Sequence, residues 1–482
     1  MQIIAIVLVV LLAGGVIVSA LFAAMAEEQA PARDRYTLSV EYMEEAQALH
    51  IEQRLVHYNH DADRLDRVVF YAAPNMFRRE SALMYANDDL EDVFFAGYAP
   101  GGIDLRSVRV NGEAADYGFQ GEDELYLRVA CDVAPGDAVT FDFDYYLLLT
   151  ACGAFVGVGD TDVRLGAFYF IPGVYDEAYQ EWNVKKPLPF TRWLYSGAGD
   201  YEVTLTVPDD MAVAATGTEA GGTYHAENVR EFAMCFGRRW RVTERTTDSG
   251  VKVRVFSGLR NAGRVADMAV KAIGHCEDWF GPYPVKELDI CQSDYPLGAL
   301  DYPGLILLSN DLMESDQLEK QVRFCAAQQV FGISAYVEPS ADAWLSDSVC
   351  AYLSYLMLEA DKGHDAFLTA INRDWVPDLQ MTIPGGLRVT SDADLFDAKD
   401  YAAVVLTRGA VVFHELREAM GLKNMLSGLA EFYRMGRDGH TLTEMDLVSA
   451  MDSASGGSWE DFLTDWVFNV GDYVEQTIDW LN

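Results

Sequence analysis

Residues 298–306 read GALDYPGLI, and this stretch decides the fold of the second half of the chain. Its last residues open an apolar run, 305–309, that predicts a buried strand. Apolar residues recur with helical spacing before it, at 262–280, and after it, at 318–332 and 342–360. Short strands interleaved with longer helices predict an α+β domain with a helical bulk.

The first half of the chain has a different pattern. Residues 36–42, 140–146 and 201–207 alternate between apolar and polar side chains, which is typical of strands with one buried face. Gly, Pro and Asn residues that favour turns separate these runs. We therefore expect a β-rich domain of stacked sheets over 36–247 and the α+β domain over 248–482.

Composition excludes several classes of protein. The chain has 482 residues, of which 50% are hydrophobic, so it can build sizeable cores and is neither disordered nor collagen-like. Its 75 acidic and 36 basic side chains give a formal net charge of −39. Such a charge argues against a nucleic acid or an anionic membrane surface as the main partner.

The cysteine count indicates no disulfide framework. There are seven cysteines, an odd number, and no two of them form a CxxC pair. We expect small buried apolar residues rather than a zinc knuckle, with a single disulfide as the open alternative. They are Cys131, Cys152, Cys235, Cys276, Cys291, Cys325 and Cys350.

The N-terminus carries a targeting signal. Residues 3–25 contain no charged side chain and are long enough to cross a bilayer as a helix. The sequence favours a transmembrane anchor over 1–26, followed by a polar linker over 27–35. The alternative is a cleaved signal peptide, with Ala24 and Ala26 forming a small-x-small cleavage site.

The anchor predicts a single-pass membrane protein with its globular part outside the cytoplasm. Cleavage would instead give a secreted protein. Arg33 and Arg35 follow the span and, by the positive-inside rule, argue for the opposite orientation.

The segments around the opening stretch resemble those of the M1 aminopeptidases, which are gluzincins. GALDYPGLI (298–306) is similar to the GAMEN–PGLI element, and FGPYP (280–284) is similar to its lead-in. FCAAQQVFG (324–332) lies where the family has HELAHQWFG, and WLSDS (344–348) lies where it has WLNEG. LTRGA (406–410) resembles the helix that supplies the catalytic tyrosine. The resemblance implies a thermolysin-like second domain behind the β-rich one.

The resemblance also places the family's zinc site on this chain. The two zinc histidines fall on Phe324 and Gln328, the glutamate ligand on Asp347, and the general-base glutamate on Cys325. The step of 19 positions from Gln328 to Asp347 is the family's spacing between its second and third ligands. Catalytic zinc needs about three nitrogen, sulfur or carboxylate ligands. A phenylalanine offers no lone pair and a glutamine amide is a poor ligand, so we expect no bound metal.

Substrate-binding positions follow from the same alignment. The glutamate that holds the substrate's free amine falls on Asp301, in the same element as Gly298 and Ala299, and the oxyanion tyrosine falls on Leu406. These positions could hold an amine or a peptide N-terminus without cutting it. The open alternative is that Asp301 is a plain polar residue facing trapped water.

The resulting hypothesis is a pseudopeptidase, an M1-like scaffold that binds a peptide or protein partner without zinc. One alternative is an active, zinc-dependent M1-type metallopeptidase that uses substitute ligands. Another is a structural subunit of a membrane complex. Family members carry a further helical domain that roofs the cleft, and the sequence ends soon after the catalytic-type domain, so we expect an open cleft.

Three other candidates receive simpler interpretations. Cys325 would need a nearby thiolate-stabilising group to act as a nucleophile, and a buried thiol is expected instead. The pair His414 and Glu418 has helical i,i+4 spacing, and we expect a solvated ion pair rather than a metal site. The acid-containing segments 59–67 and 160–164 do not fit the EF-hand pattern, so we expect solvated loops rather than calcium sites.

Overall fold

The structure is a computed structural model that describes residues 32–78, 93–383, 385–437 and 440–469. The anchor or signal peptide expected at 1–26 lies outside these residues. Within the described ranges, no helix is both long enough and apolar enough to cross a membrane.

The first half is built from strands, as the alternating pattern predicts. In β1 the buried side chains are every second residue, from Tyr36 to Tyr42, because successive side chains of a strand face opposite ways. The strands of this half are β1 Asp34–Met43, β2 Ala48–Tyr58, β3 Leu65–Tyr71, β4 Gly102–Val110, β5 Glu113–Ala114, β6 Tyr117–Gln120, β7 Tyr126–Val133, β8 Ala138–Leu148, β9 Val156–Val158, β10 Val163–Leu165, β11 Ile171–Pro172, β12 Val174–Asp176, β13 Glu181–Asn183, β14 Gly199–Thr206, β15 Ala212–Ala215, β16 Thr218–Ala220, β17 Thr223–Val229 and β18 Met234–Gly237.

These strands form one large sheet and smaller ones packed around a common core. Among the described residues, the large sheet has the order β16-β17-β14-β1-β2-β8-β4-β5. Two four-stranded sheets, β15-β18-β10-β9 and β11-β3-β7-β6, and the β12-β13 hairpin complete this half. The core is rich in aromatic rings, among them Phe70, Phe141 and Phe170, all of which are fully buried. This β-rich half forms one wall of the cavity described below.

The second half joins a mixed sheet to a helical bulk. Its sheet has the order β19-β20-β21-β23-β22, where β20, β21 and β23 run parallel and β22 runs antiparallel at the edge. The strands are β19 Arg241–Thr246, β20 Lys252–Ser257, β21 Glu287–Ser293, β22 Ala299–Tyr302 and β23 Leu305–Ser309. The helices are α1 Ala262–Phe280, α2 Asn310–Glu314, α3 Leu318–Gln328, α4 Trp344–Lys362, α5 His364–Leu379, α6 Ala398–Tyr401, α7 Gly409–Met420, α8 Leu422–Gly436, α9 Glu444–Ser455 and α10 Glu460–Asn469.

Several predicted elements match the structure closely. The helix expected at 262–280 and the strand expected at 305–309 have the predicted ends. The β19-β20 hairpin, in contrast, spans the predicted domain boundary after residue 247, because β19 pairs with β20 in the sheet of the second half.

Two π-helical turns occur in the helical bulk, and one of them interrupts a predicted helix. The helix expected over 318–332 ends at Gln328 and continues as a π-helical turn, Gln329–Ser334. A second π-helical turn, Ala402–Arg408, precedes α7. Such turns are frequent at functional sites. Both lie beside the cavity between the two halves.

Candidate functional site

A cavity of about 300 Å³ lies between the β-rich half and the helical bulk. The edge strand β22 and helices α3, α4 and α5 contribute to its walls, together with the turn at 402–408. The β-rich half contributes the segment 190–192, which follows β13. The alignment with the M1 family had placed six site positions, and five of them line this cavity: Asp301, Phe324, Gln328, Asp347 and Leu406.

Asp347 is the centre of a hydrogen-bond network at the base of the cavity. It lies in the first turn of α4 and is 4% exposed. Oδ1 accepts hydrogen bonds from the Gln328 amide at 2.8 Å and from the Ser346 hydroxyl at 3.1 Å. Oδ2 accepts a hydrogen bond from the Tyr401 hydroxyl at 2.6 Å. Both oxygens of this carboxylate are therefore used by neighbours in the second half.

The β-rich half adds two further donors to the same carboxylate. The Thr191 hydroxyl donates to Oδ2 of Asp347 at 3.0 Å. The Arg192 guanidinium lies 3.4 Å from Oδ1 and donates to the Ser346 hydroxyl at 2.9 Å. Arg192 approaches so closely because residue 332 is glycine, since a Cβ there would lie 2.6 Å from the guanidinium carbon. Arg192 thus brings a positive charge to the only carboxylate among the positions aligned with the family's zinc ligands.

These residues do not fit a catalytic zinc ion. Phe324 is half-buried on the cavity wall and offers only a ring. Gln328 offers an amide, and the oxygens of Asp347 already accept hydrogen bonds from five side chains. In the part of the chain that the structure describes, no three His, Cys, Asp or Glu side chains are grouped so that they could hold a metal ion. The donor set therefore lacks the three ligands that such a site requires.

Cys325 does not have the environment of a nucleophile. It is fully buried, and its burial raises the pKa of the thiol well above the ordinary range. A reactive cysteine needs the opposite shift, together with access to solvent. The thiol interacts with the Asp301 carboxyl and accepts a weak hydrogen bond from the Gln321 amide at 3.6 Å.

Asp301 is the acidic group of β22 that faces the cavity. Burial raises the pKa of this carboxyl to about 6, while its hydrogen bond from Cys325 and the charge of Arg192 act in the opposite direction. Its Oδ1 atom is buried and has no hydrogen-bond partner among the described residues. Ala299 of the same strand also lines the cavity, whereas Gly298 supports the strand by accepting a hydrogen bond from the Ser309 amide at 2.7 Å.

A second, smaller cavity of about 70 Å³ adjoins the first. The two share Arg192, Asp301 and two further wall residues, so they meet beside the Asp301 carboxyl. Glu231 lines the second cavity and accepts a hydrogen bond from the Ala167 amide at 2.8 Å. Burial raises the pKa of Glu231 to about 7.

Sequence reasoning missed the residues that come from outside the family motifs. Thr191, Arg192, Glu231 and Tyr401 each line at least one of the two cavities, and none lies in a motif on which the resemblance rests. The polar pair Thr191-Arg192 inside the otherwise apolar run 187–194, PLPFTRWL, was the available signal.

Two expectations about polar side chains outside the cavities are wrong. His414 is not a solvated partner of Glu418 but is 5% exposed, with Nδ1 3.3 Å from the Tyr352 hydroxyl. Burial lowers the pKa of His414 to about 4, so the ring is neutral near pH 7. Segment 160–164 is not a solvated loop, because Asp162 and Arg164 form a fully buried ion pair. Both errors arise from tertiary contacts that local sequence does not encode.

Known proteins are similar to part of this sequence, although no family model matches it. In an alignment over 254 residues that covers 47% of this chain, it is 28% identical to Aminopeptidase M1-B of Oryza sativa subsp. japonica. Over 250 residues it is 24% identical to Aminopeptidase N of Lactococcus lactis subsp. cremoris. The matched regions cover 28% and 29% of these relatives, so they span less than a third of the relatives' own length.

Solved structures share the fold over nearly the whole chain. The M1 zinc metallopeptidase from Deinococcus radiodurans superposes with a TM-score of 0.61 at 18% identity, covering 91% of this chain and 94% of that one. A mutant of that metallopeptidase bound to a Tyr-Ser-Ala substrate gives the same TM-score, with 90% and 93% covered. The fold is therefore that of an M1 zinc metallopeptidase. The chain itself is a homologue of the M1 aminopeptidases.

Proposed function

We propose that this chain is a pseudopeptidase: it binds the free N-terminus of a peptide or protein partner in the larger cavity and does not cleave it. The observation that supports the proposal is the hydrogen bonding of the Asp347 carboxylate. Five side chains of the protein, one of them the Arg192 guanidinium, satisfy this carboxylate where the family would use a metal ligand.

The absence of cleavage follows from the side chains at the aligned positions. Without a metal, none of the described residues that line this cavity can lower the pKa of an attacking water from about 16 toward 7. Cys325 is buried and holds its proton, so it supplies no general base. Leu406 lines the cavity where the family's tyrosine would stabilise an oxyanion, and its side chain cannot donate a hydrogen bond.

Binding of an amine is supported by Asp301. Its carboxyl lies at the junction of the two cavities, and no residue in the described part of the chain forms a hydrogen bond with Oδ1. A buried acceptor without a partner costs free energy, and an ammonium group would satisfy it with a charge-assisted hydrogen bond. We further propose that this binding takes place at a membrane, because residues 3–25 carry no charge over a length that can span a bilayer.

Two measurements on the full chain, purified in detergent, test this function. After dialysis against trace zinc we expect well below one zinc per chain and no cleavage of aminoacyl-anilides. Near-stoichiometric zinc that is lost in Asp347→Ala would contradict the proposal and favour a metallopeptidase with substitute ligands.

Amine recognition is tested by calorimetric titration with Ala-Ala-Ala and its N-acetylated form. We expect only the free amine to bind, and Asp301→Asn to weaken it about tenfold, as expected for the loss of one charge-assisted hydrogen bond. Equal affinity for the two peptides would rule out recognition of the N-terminus.

A further inference from the structure

The walls of the second cavity combine aromatic rings with charged side chains. Trp193, Tyr295 and Tyr336 give it an apolar character. Two basic residues, Arg192 and Arg230, also line it. A small cavity with this composition is suited to a short side chain that ends in an anionic group.

Arg230 is a half-buried cation that has no carboxylate partner among the described residues. In the described ranges, no Asp or Glu oxygen lies within 4.0 Å of its guanidinium, although Arg192 has such a contact with Asp347. The guanidinium stacks on the Tyr336 ring, 3.5 Å from the ring centroid, and donates a hydrogen bond to the Ser196 carbonyl at 2.8 Å. Partial burial of the guanidinium lowers the pKa of Arg230, because it disfavours the charged form.

A cation in this position gains from an anionic ligand. Burying a charge without a counter-charge is unfavourable, and a guanidinium matches a carboxylate with two parallel hydrogen bonds. The stacked Tyr336 ring holds the plane of Arg230 fixed, so little side-chain entropy is lost when a carboxylate binds.

We infer that the second cavity receives the side chain of an N-terminal aspartate or glutamate of the bound partner, and that Arg230 pairs with its carboxylate. This inference rests on the proposed binding of a free N-terminus beside Asp301. Because Asp301 belongs to both cavities, an amine held there can direct its side chain into one and its main chain into the other. The main chain requires the larger cavity, which leaves the smaller one for the first side chain.

Glu231 is the acidic group that opposes this ligand. It lies on the wall of the second cavity, and burial raises its pKa to about 7. Near neutral pH a large fraction of this carboxyl is therefore protonated and does not repel a ligand carboxylate. In that form it can donate a hydrogen bond to the ligand.

The test compares two isosteric peptides on the full-length protein, Glu-Ala-Ala and Gln-Ala-Ala, by calorimetric titration at pH 7. They differ only in the charge of the first side chain. We expect the glutamate peptide to bind about tenfold more tightly, the difference that a charge-assisted pair supplies over a neutral hydrogen bond. Equal affinities, or a preference for glutamine, would overturn the inference.

The variant Arg230→Met tests whether Arg230 causes the preference for the glutamate peptide. Arg230→Met removes the charge and keeps much of the apolar length, and it should abolish the preference for glutamate. Arg109→Met, at an exposed position of β4, is the matched control and should leave the preference unchanged. A preference that survives in Arg230→Met would overturn the assignment. If that variant fails to fold, the two peptides on the unmodified protein still decide the inference.

The N-acetylated form of Glu-Ala-Ala separates this inference from the proposed function. If it binds as well as the free peptide, recognition of the amine is wrong. If the free amine is required but glutamate and glutamine bind equally, the proposed function stands and only the role of Arg230 fails.

Discussion

At the scale of single residues, Arg192 and Asp347 form a contact between the two halves of the molecule. The guanidinium and the carboxylate lie 3.4 Å apart, and the aspartate side chain is almost completely buried. A buried carboxylate with a cationic partner is costly to disturb on one side only, because the remaining charge stays desolvated.

We expect Arg192→Met to lower the free energy of unfolding by about 1–3 kcal/mol, since Asp347 would keep its neutral donors but lose its counter-charge. Chemical denaturation monitored by fluorescence measures this change. Arg109→Met serves again as the exposed control. A loss no larger than that of the control would mean that the neutral donors alone stabilise the carboxylate.

Glu231 provides a prediction about pH. Its pKa is raised from about 4.5 to about 7, so the folded chain binds this proton more tightly than the unfolded chain. The carboxyl therefore contributes stability below pH ~4.5, and this contribution is lost as the pH rises toward 7. Because glutamine does not ionise, Glu231→Gln should have little effect at pH 4.5 but should stabilise the protein by roughly 1–3 kcal/mol at pH 8.

Thermal unfolding at the two pH values measures the effect of Glu231→Gln. Glu52→Gln, at an exposed position of β2, is the matched control. An equal change in melting temperature at both pH values would contradict the raised pKa.

At the scale of elements, two glycines allow helical segments beside the cavity to pack closely against neighbouring side chains. A Cβ at position 332 would contact Gln328 and the Arg192 guanidinium, and one at position 409 would contact the Ser348 side chain. The backbone of the first π-helical turn thus lies directly against the polar network.

Gly332→Ala should destabilise the protein by about 1–3 kcal/mol, because the new methyl group overlaps side chains that have little room to move. Gly274→Ala is a matched control within α1, where a Cβ would meet nothing within 4 Å. The control should instead stabilise the protein by roughly 0.5–1 kcal/mol, as alanine is the better helix former. Thermal or chemical denaturation should show a lower stability for Gly332→Ala and a higher stability for Gly274→Ala.

Some secondary-structure elements could be predicted from the sequence, and others could not. The strand Leu305–Ser309 and the helix Ala262–Phe280 were predictable, because local periodicity determines them. The π-helical turns were not, because they form against side chains from distant segments. The residues of the cavity show the same difference. A motif was enough to single out Asp301. Arg192 comes from the other half of the chain, and no spacing rule in the sequence connects it with Asp301.

At the scale of the whole molecule, the net charge of −39 is the dominant property. Like charges at this density repel one another and oppose the compact state, and dissolved salt screens them. Raising sodium chloride from 50 mM to 500 mM should stabilise the fold by about 1 kcal/mol, or roughly 1 °C in melting temperature for a chain of this length. Scanning calorimetry over that series checks the direction, and a melting temperature that falls with salt would contradict it.

The position of β1 has a mechanical consequence. It pairs in parallel with β14, from Asp34 beside Gly199 to Glu41 beside Thr206, and antiparallel with β2 on its other side. Tension applied at residue 32 would pull β1 along its own axis and load both ladders in shear, so that many hydrogen bonds must break together. The β-rich half should therefore resist a force applied at its N-terminal end, because β1 cannot separate from its neighbours one hydrogen bond at a time.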